Sequence, residues 1–158
     1  MSRPANRDLG RRMGKQDGVR KKADLGAILI VEDDPVLALN LEATLTERGA
    51  RQVTISPTTQ DALEALEENS FDAIVLDVHL ADRSDGWTVA ELVCELGPRP
   101  PAFIFATGAP EAIPAEVAEL GIVLEKPYDA HELVDEIERQ RKTGGVLGKL
   151  REVIARRR

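Results

Sequence analysis

A three-layer α/β domain, with helices on both faces of a mostly parallel five-stranded sheet, is the architecture this sequence predicts. Two observations carry the prediction. Between residues 27 and 140, five short apolar runs alternate with longer amphipathic stretches, the pattern of strands joined by crossover helices. Acidic, hydroxyl and basic side chains follow directly after four of those runs, and the carboxyl ends of parallel strands are where such a sheet gathers functional groups.

The predicted strands are residues 27–31, 52–56, 73–76, 102–106 and 122–124. The first, third and fourth are nearly continuous in apolar residues and suit buried central positions, whereas 52–56 alternates and suits an edge. The first helix, 35–46, sets Leu37, Leu41 and Leu45 four apart with Ala38 beside them, which makes one apolar stripe at the helical repeat. Asp34, just before Pro35, is the expected N-cap of that helix. Residues 59–68 repeat the pattern with Ala62, Leu63, Ala65 and Leu66, and 87–96 offer Val89, Ala90, Leu92, Val93 and Leu96. The stretch 110–120 is the weakest, because Pro114 restricts its first half; a helix from about residue 114 is expected. Residues 130–140 turn Leu133, Val134 and Ile137 inward.

Length and composition set the frame. The chain has 158 residues, with 42% hydrophobic, 31% charged and 3% aromatic, which suits one ordinary domain with an aliphatic core. No apolar run approaches a membrane span, and the basic N-terminal stretch has no hydrophobic run behind it, so neither a transmembrane segment nor a signal peptide is read. The one cysteine, Cys94, excludes an internal disulfide and a four-thiolate metal site. A cytoplasmic protein is the expectation. Charge is uneven: residues 1–24 carry eight Lys or Arg against three Asp, and 139–158 carry eight against Glu152, whereas 25–138 hold five basic and 24 acidic residues. Free nucleic acid is attracted to the ends and repelled by the body, so no specific nucleic-acid partner is expected. The expected organisation is a disordered basic tail over 1–25, a folded domain over 26–142, and a basic extension over 143–158. In that extension Val146, Leu147, Leu150, Val153 and Ile154 recur at roughly helical spacing, which suits a short basic amphipathic helix that packs on its own domain or frays, with an anionic membrane or a partner as the alternatives.

The chemistry lies at the strand ends. The first strand runs into Glu32, Asp33 and Asp34, the third into Asp77, the fourth into Thr107 and Gly108, and the fifth into Lys126 and Pro127. Carboxylates placed together repel, so burying them calls for a cation or a proton. Hard oxygen donors without a histidine or thiolate cluster favour Mg²⁺ over zinc. Asp33 and Asp77 are the expected direct ligands, with Glu32 acting through metal-bound water and the backbone carbonyl of His79 completing the set. A carboxylate also serves as the nucleophile in phosphoryl transfer, and Asp77 has the central position. Thr107 supplies a hydroxyl for one phosphoryl oxygen, and Gly108 admits the backbone closely. Lys126 either meets another oxygen or holds Asp77 in an ion pair.

Four segments, ILIVEDD at 28–34, AIVLD at 73–77, FATG at 105–108 and EKP at 125–127, together resemble the receiver domain of two-component response regulators over roughly residues 26–142. The resemblance implies a flavodoxin-like, doubly wound sheet of strand order 2-1-3-4-5. It implies that Asp77 accepts phosphate from the phosphohistidine of a histidine kinase or histidine phosphotransfer protein. It also assigns Glu32 and Asp33 to the acidic pocket, Thr107 to the switch hydroxyl and Lys126 to the phosphate-side lysine, with a cis bond before Pro127. The family pattern places a Tyr or Phe three positions before the lysine, where this chain has Val123, so an aromatic gate does not carry the signal. Phe105, Tyr128 or a shift of 110–120 are the substitutes, with ordinary core packing the alternative for Phe105 and Tyr128. FATG without that aromatic is similar to atypical single-domain receivers of alphaproteobacteria, although Ala109 and Pro110 stand where that subgroup continues with Gly and Tyr. The loop 78–86 is one residue longer than the common receiver loop.

His79 and Ala109, each two positions after a key residue, lie where side chains tune phosphate lifetime in the family. For His79 an exposed loop residue is the alternative. No output domain is expected after residue 142, so signalling runs through a downstream protein or a homodimer. Two other readings stand beside this one. In the first, a pseudo-receiver keeps the pocket and binds partners without phosphate. In the second, a small Mg²⁺-dependent phosphatase uses Asp77 as its nucleophile.

Overall fold

The structure is a computed structural model that describes residues 22–77 and 100–142. Within these residues the chain forms β1 (Gly26–Val31), α1 (Pro35–Arg48), β2 (Ala50–Ser56), α2 (Thr59–Glu68), β3 (Ala73–Asp77), β4 (Ala102–Thr107), a 3₁₀ turn (Pro110–Ala112), α3 (Ala115–Ala118), β5 (Ile122–Glu125) and α4 (Ala130–Lys142). The five strands make one parallel sheet in the order β2-β1-β3-β4-β5. The predicted helix at 87–96 and the extension at 143–158 lie outside the described residues.

The apolar runs decide which strands go inside. All residues of β1, β3 and β4 are buried, and the alternating β2 is at an edge as its pattern requires. Successive side chains point to opposite faces of the sheet, which divides the core in two. On one face Leu29, Val31, Ile74, Leu76, Phe103 and Phe105 pack with Ala62 of α2 and with Ile113 and Val117. On the other, Ile28, Ile30, Val75 and Ile104 pack with Leu41 and Leu45 of α1 and with Leu133, Val134 and Ile137 of α4. Helices therefore cover both faces, giving the doubly wound, three-layer arrangement.

The helix signals behave as local chemistry dictates. Asp34 caps α1, its Oδ1 accepting from the amides of Val36 at 2.9 Å and Leu37 at 3.2 Å. Gly49 ends α1 with φ +116°, a left-handed conformation that favours glycine. The stretch 110–120 yields only the 3₁₀ turn and the four-residue α3. Pro110 and Pro114 lack the amide a continuous helix needs. Gly121 then enters β5 against the Phe103 carbonyl, where a Cβ would clash. The folded body also begins earlier than expected: Leu25, assigned to the tail from sequence, is fully buried, and the Ala23 amide donates to the Arg48 carbonyl at 3.1 Å.

Candidate functional site

At the carboxyl end of the sheet, β1 delivers Glu32 and Asp33, β3 delivers Asp77, β4 delivers Thr107, and Lys126 follows β5. Because β1 and β3 are adjacent and in register, with Val31 opposite Leu76, the residues just beyond them are brought side by side. One carboxylate oxygen from each of Glu32, Asp33 and Asp77 lies within 4.8 Å of the others. Glu32 and Asp77 are buried and Asp33 is exposed, so the cluster has a closed inner wall and an open side.

Lys126 supplies the local positive charge. Its Nζ is 3.3 Å from Asp77 Oδ1 and 3.8 Å from Glu32 Oε2. It reaches them because its own amide donates to the Thr107 carbonyl at 2.7 Å, fixing the turn after β5 to the end of β4. The Lys126–Pro127 peptide is cis, as expected from sequence. Thr107 is 5% exposed, and its Oγ1 accepts from the Ala109 amide at 3.0 Å. At Gly108 an added Cβ would meet nothing within 4 Å, so the protein's own packing does not demand glycine there and leaves space beside the pocket.

Among the described residues, one lysine faces the two buried carboxylates. Burial raises the Glu32 carboxyl to about 7 from its ordinary 4.5. The Asp34 amide, which donates to Glu32 Oε1 at 3.1 Å, and the Lys126 charge pull it down, while the Asp77 charge and a hydrogen bond with Asp77 push it further up. Asp34 thus has two duties, capping α1 with its side chain and supporting Glu32 with its backbone. The Tyr128 hydroxyl is pushed up to about 12, by burial and by the negative Glu32 and Asp77. Three clustered carboxylates, two of them buried, fit a hard divalent cation held by oxygen donors.

Most of the residues singled out from sequence therefore meet at the carboxyl end of the sheet: Glu32, Asp33, Asp77 and Lys126 in direct proximity, with Thr107 at the end of β4 and Gly108, Ala109 and Pro127 just after the strands. His79 lies outside the described residues. Val123 stands opposite Phe105 in the β4–β5 register and packs on the α2 and α3 side of the core. Phe105 is fully buried and stacks on Phe103, with ring centroids 5.9 Å apart, which makes it a core residue. Tyr128 packs on the opposite face, with α1 and α4. Sequence reasoning missed the contact of His131 with α1: Arg48 lies 2.9 Å from His131 Nδ1 and 3.0 Å from Asp135 Oδ1. Nothing local signals pairs separated by more than 80 residues.

Comparison with known proteins agrees with this geometry. The family described as the response regulator receiver domain matches residues 28–138. The sensory transduction protein LytT of Bacillus anthracis is 34% identical over 119 residues, covering 72% of this chain and 47% of that protein. The phyllosphere-induced regulator PhyR of Methylorubrum extorquens is 30% identical over 103 residues, covering 64% and 38%. The chain thus spans about half or less of the length of these relatives. Among solved structures, a CheY-like receiver domain from Methylobacillus flagellatus superposes with a TM-score of 0.61 at 28% identity, covering 72% of this chain and 98% of that one. A parallel sheet of order 2-1-3-4-5 with a carboxylate cluster and a lysine at its carboxyl end, and a family match across most of its length, lead to one assignment: this chain belongs to the response regulator receiver domain family.

Proposed function

We propose that Asp77 is the phosphoacceptor, taking a phosphoryl group from the phosphohistidine of a histidine kinase or histidine phosphotransfer protein. The observation that carries this is the buried Asp77 carboxylate, 3.3 Å from Lys126 Nζ and clustered with Glu32 and Asp33. In the transfer an Asp77 oxygen forms the new bond to phosphorus, the phosphorus–nitrogen bond breaks, and the imidazole leaves with its electron pair. Lys126 holds Asp77 in place beforehand and can turn its charge to a phosphoryl oxygen afterwards. Asp33 and Asp77, with Glu32 and the His79 carbonyl in support, would hold Mg²⁺, which would supply positive charge toward the phosphoryl oxygens. No step needs a general base from the protein, so the chemistry is that of a phosphoacceptor that assists its own reaction rather than of a conventional turnover enzyme.

The signal follows from charge. Phosphorylation adds about two negative charges to a pocket that Lys126 already lines with one positive charge. The Thr107 hydroxyl then donates to a phosphoryl oxygen, which redirects the contact it now makes with the Ala109 amide. The 3₁₀ turn and α3 begin immediately after, and Ile113 and Val117 anchor them to Phe103 and Phe105. That segment is the route of the population shift in place of an aromatic at Val123. Val36 and Leu39, exposed at the start of α1 close to Asp33, offer the phosphodonor an apolar landing.

The finer assignments rest on sequence. FATG with Val123 supports a place among the atypical alphaproteobacterial receivers, acting in the cytoplasm through a downstream protein or a second copy, with the domain spanning 26–142 between basic segments. No helix among the described residues is long and apolar enough to cross a membrane.

The test is incubation of wild type and Asp77→Asn with phosphorylated kinases, with and without Mg²⁺, following phosphate on both proteins. Mg²⁺-dependent transfer lost in Asp77→Asn is expected. Full-stoichiometry phosphate persisting in that variant would overturn the assignment, and partner binding without any phosphate transfer would make the chain a pseudo-receiver.

A further inference from the structure

Lys126 is held from two sides. Toward β4 its amide donates to the Thr107 carbonyl at 2.7 Å. On the other side only Pro127 and Tyr128 separate it from Asp129, which caps the start of α4: Asp129 Oδ1 accepts from the His131 amide at 2.9 Å, and Glu132 Oε2 accepts from the Asp129 amide at 3.2 Å. This reciprocal cap makes the first turn of α4 a firm support for the lysine turn. Tyr128 packs against the core that α1 and α4 share. A lysine stem is long and flexible, so where Nζ can reach is set by where the Lys126 backbone stands.

One side chain from α1 grips that turn. Arg48, the last residue of α1, places Nη1 2.9 Å from His131 Nδ1 and Nη2 3.0 Å from Asp135 Oδ1. His131 and Asp135 are four apart and share one side of α4; a guanidinium only donates, so both accept from it. The Arg48 side chain is 12% exposed and that of Asp135 59%. Arg48 is itself firmly anchored: its carbonyl accepts from the Ala23 amide at 3.1 Å, and the chain leaves it through Gly49, where a Cβ would land on the Ala23 carbonyl. An ordinary exposed ion pair stabilises little, whereas this one joins two helices through a planar fork that meets two acceptors at once. The pairs of Arg139 with Glu136 and Lys142 with Glu138 lie within α4 itself.

We propose that Arg48 is a positioning residue for the phosphoacceptor reaction. By gripping His131 and Asp135 it fixes the first turn of α4 against α1, and through Asp129, Tyr128 and Pro127 it fixes the reach of Lys126 to Asp77, without touching the reacting atoms itself. This role rests on the reading of Asp77 as phosphoacceptor and Lys126 as its cation. It keeps the lysine in place when Thr107, the anchor on the β4 side, turns to the phosphoryl group.

Initial rates of phosphorylation of the full chain by acetyl phosphate in saturating Mg²⁺ test this in a double-mutant cycle. Arg48→Met should slow the reaction roughly threefold to tenfold, because a small misplacement of a reacting group costs rate steeply. Arg48→Lys, which keeps the charge and lacks the fork, should fall between Arg48→Met and wild type. Lys126→Met should slow the reaction more, and adding Arg48→Met to it should slow it no further. Lys142→Met, which removes an ion pair within α4, should leave the rate unchanged. Mg²⁺ titration gives a second readout that needs no phosphate. A lysine drawn back from Asp77 and Glu32 repels the ion less, so Arg48→Met should tighten Mg²⁺ binding when Lys126 is present and have no effect on top of Lys126→Met. Losses that multiply in the double variant would overturn the proposal, as would Lys142→Met as slow as Arg48→Met, or a Mg²⁺ affinity indifferent to Arg48→Met. If wild type takes up no phosphate, the phosphoacceptor reading falls, and the Mg²⁺ cycle still decides whether Arg48 holds Lys126. His131→Ala with Asp135→Ala releases α4 while keeping Arg48, and should reproduce the Arg48→Met effects; it takes the place of Arg48→Met if thermal melts show that variant unfolded.

Discussion

Lowering the pH should weaken Mg²⁺ binding through Glu32. Burial beside Asp77 raises this carboxyl to about 7, so in chelator it carries a proton over much of the range below neutrality. A cation entering the cluster of Glu32, Asp33 and Asp77 favours the ionised form and expels that proton. With a pKa of about 7, the protonated fraction is about 0.9 at pH 6 and about 0.1 at pH 8, so apparent affinity should rise about tenfold between them, or about 1.4 kcal/mol. Calorimetric Mg²⁺ titrations in buffers of different ionisation enthalpy count the protons released directly. Glu32→Gln isolates the contribution of this carboxyl: it should abolish most of the pH slope. An unchanged affinity from pH 6 to 8, or a slope that survives intact in Glu32→Gln, would refute the reasoning. The same raised pKa sets a stability trend in chelator. The folded state binds the proton more tightly than the unfolded chain, so the contribution of Glu32 is greatest below about 4.5 and is lost as pH rises through about 7. The loss is at most about 3 kcal/mol, and saturating Mg²⁺ should remove the trend.

Further outcomes follow from the same geometry. Lys126→Met leaves Asp77 and Glu32 buried without their shared cation and should cost roughly 2 kcal/mol in chelator, less than for a fully buried pair because the lysine is 30% exposed; denaturant midpoints with and without Mg²⁺ measure it. Asp34→Ala removes the α1 cap and should cost about 1 kcal/mol while Mg²⁺ binding survives, because the Asp34 amide still supports Glu32. At Gly49 (φ +116°) a Cβ would land on the Ala23 carbonyl, so Gly49→Ala should lower the denaturant midpoint by the equivalent of roughly 2 kcal/mol or more. Val36→Asp with Leu39→Asp, at exposed positions of α1, should slow transfer from a phosphorylated kinase and leave phosphorylation by a small acyl phosphate unchanged, as comparison of the two rates would show.

What could be read ahead of the structure was whatever short-range pattern encodes. Continuous apolar runs placed β1, β3 and β4 inside, alternation put β2 at an edge, and Asp34 before Pro35 announced the first cap. The site was legible because parallel strands deliver their last residues to one end, so Glu32, Asp33, Asp77, Thr107 and Lys126 had only to follow apolar runs to be candidates. The interruption of 110–120 was foreseen in part: Pro114 signalled a late start, but the shortness of α3 also reflects the approach of Gly121 to Phe103.

The sequence by itself determined the period of each element, the order of the chemistry along the chain and the imbalance between an acidic body and basic ends. Tertiary structure decided which charges meet. Lys126 pairs with carboxylates from β1 and β3, Arg48 with His131 and Asp135, and Arg141 with Asp24 and Asp72. It also decided that burial, rather than composition, would lift Glu32 toward neutrality. Periodicity is a property of neighbouring residues on one backbone, whereas desolvation and Coulomb energy depend on distances in space that exist only once the sheet has closed its layers.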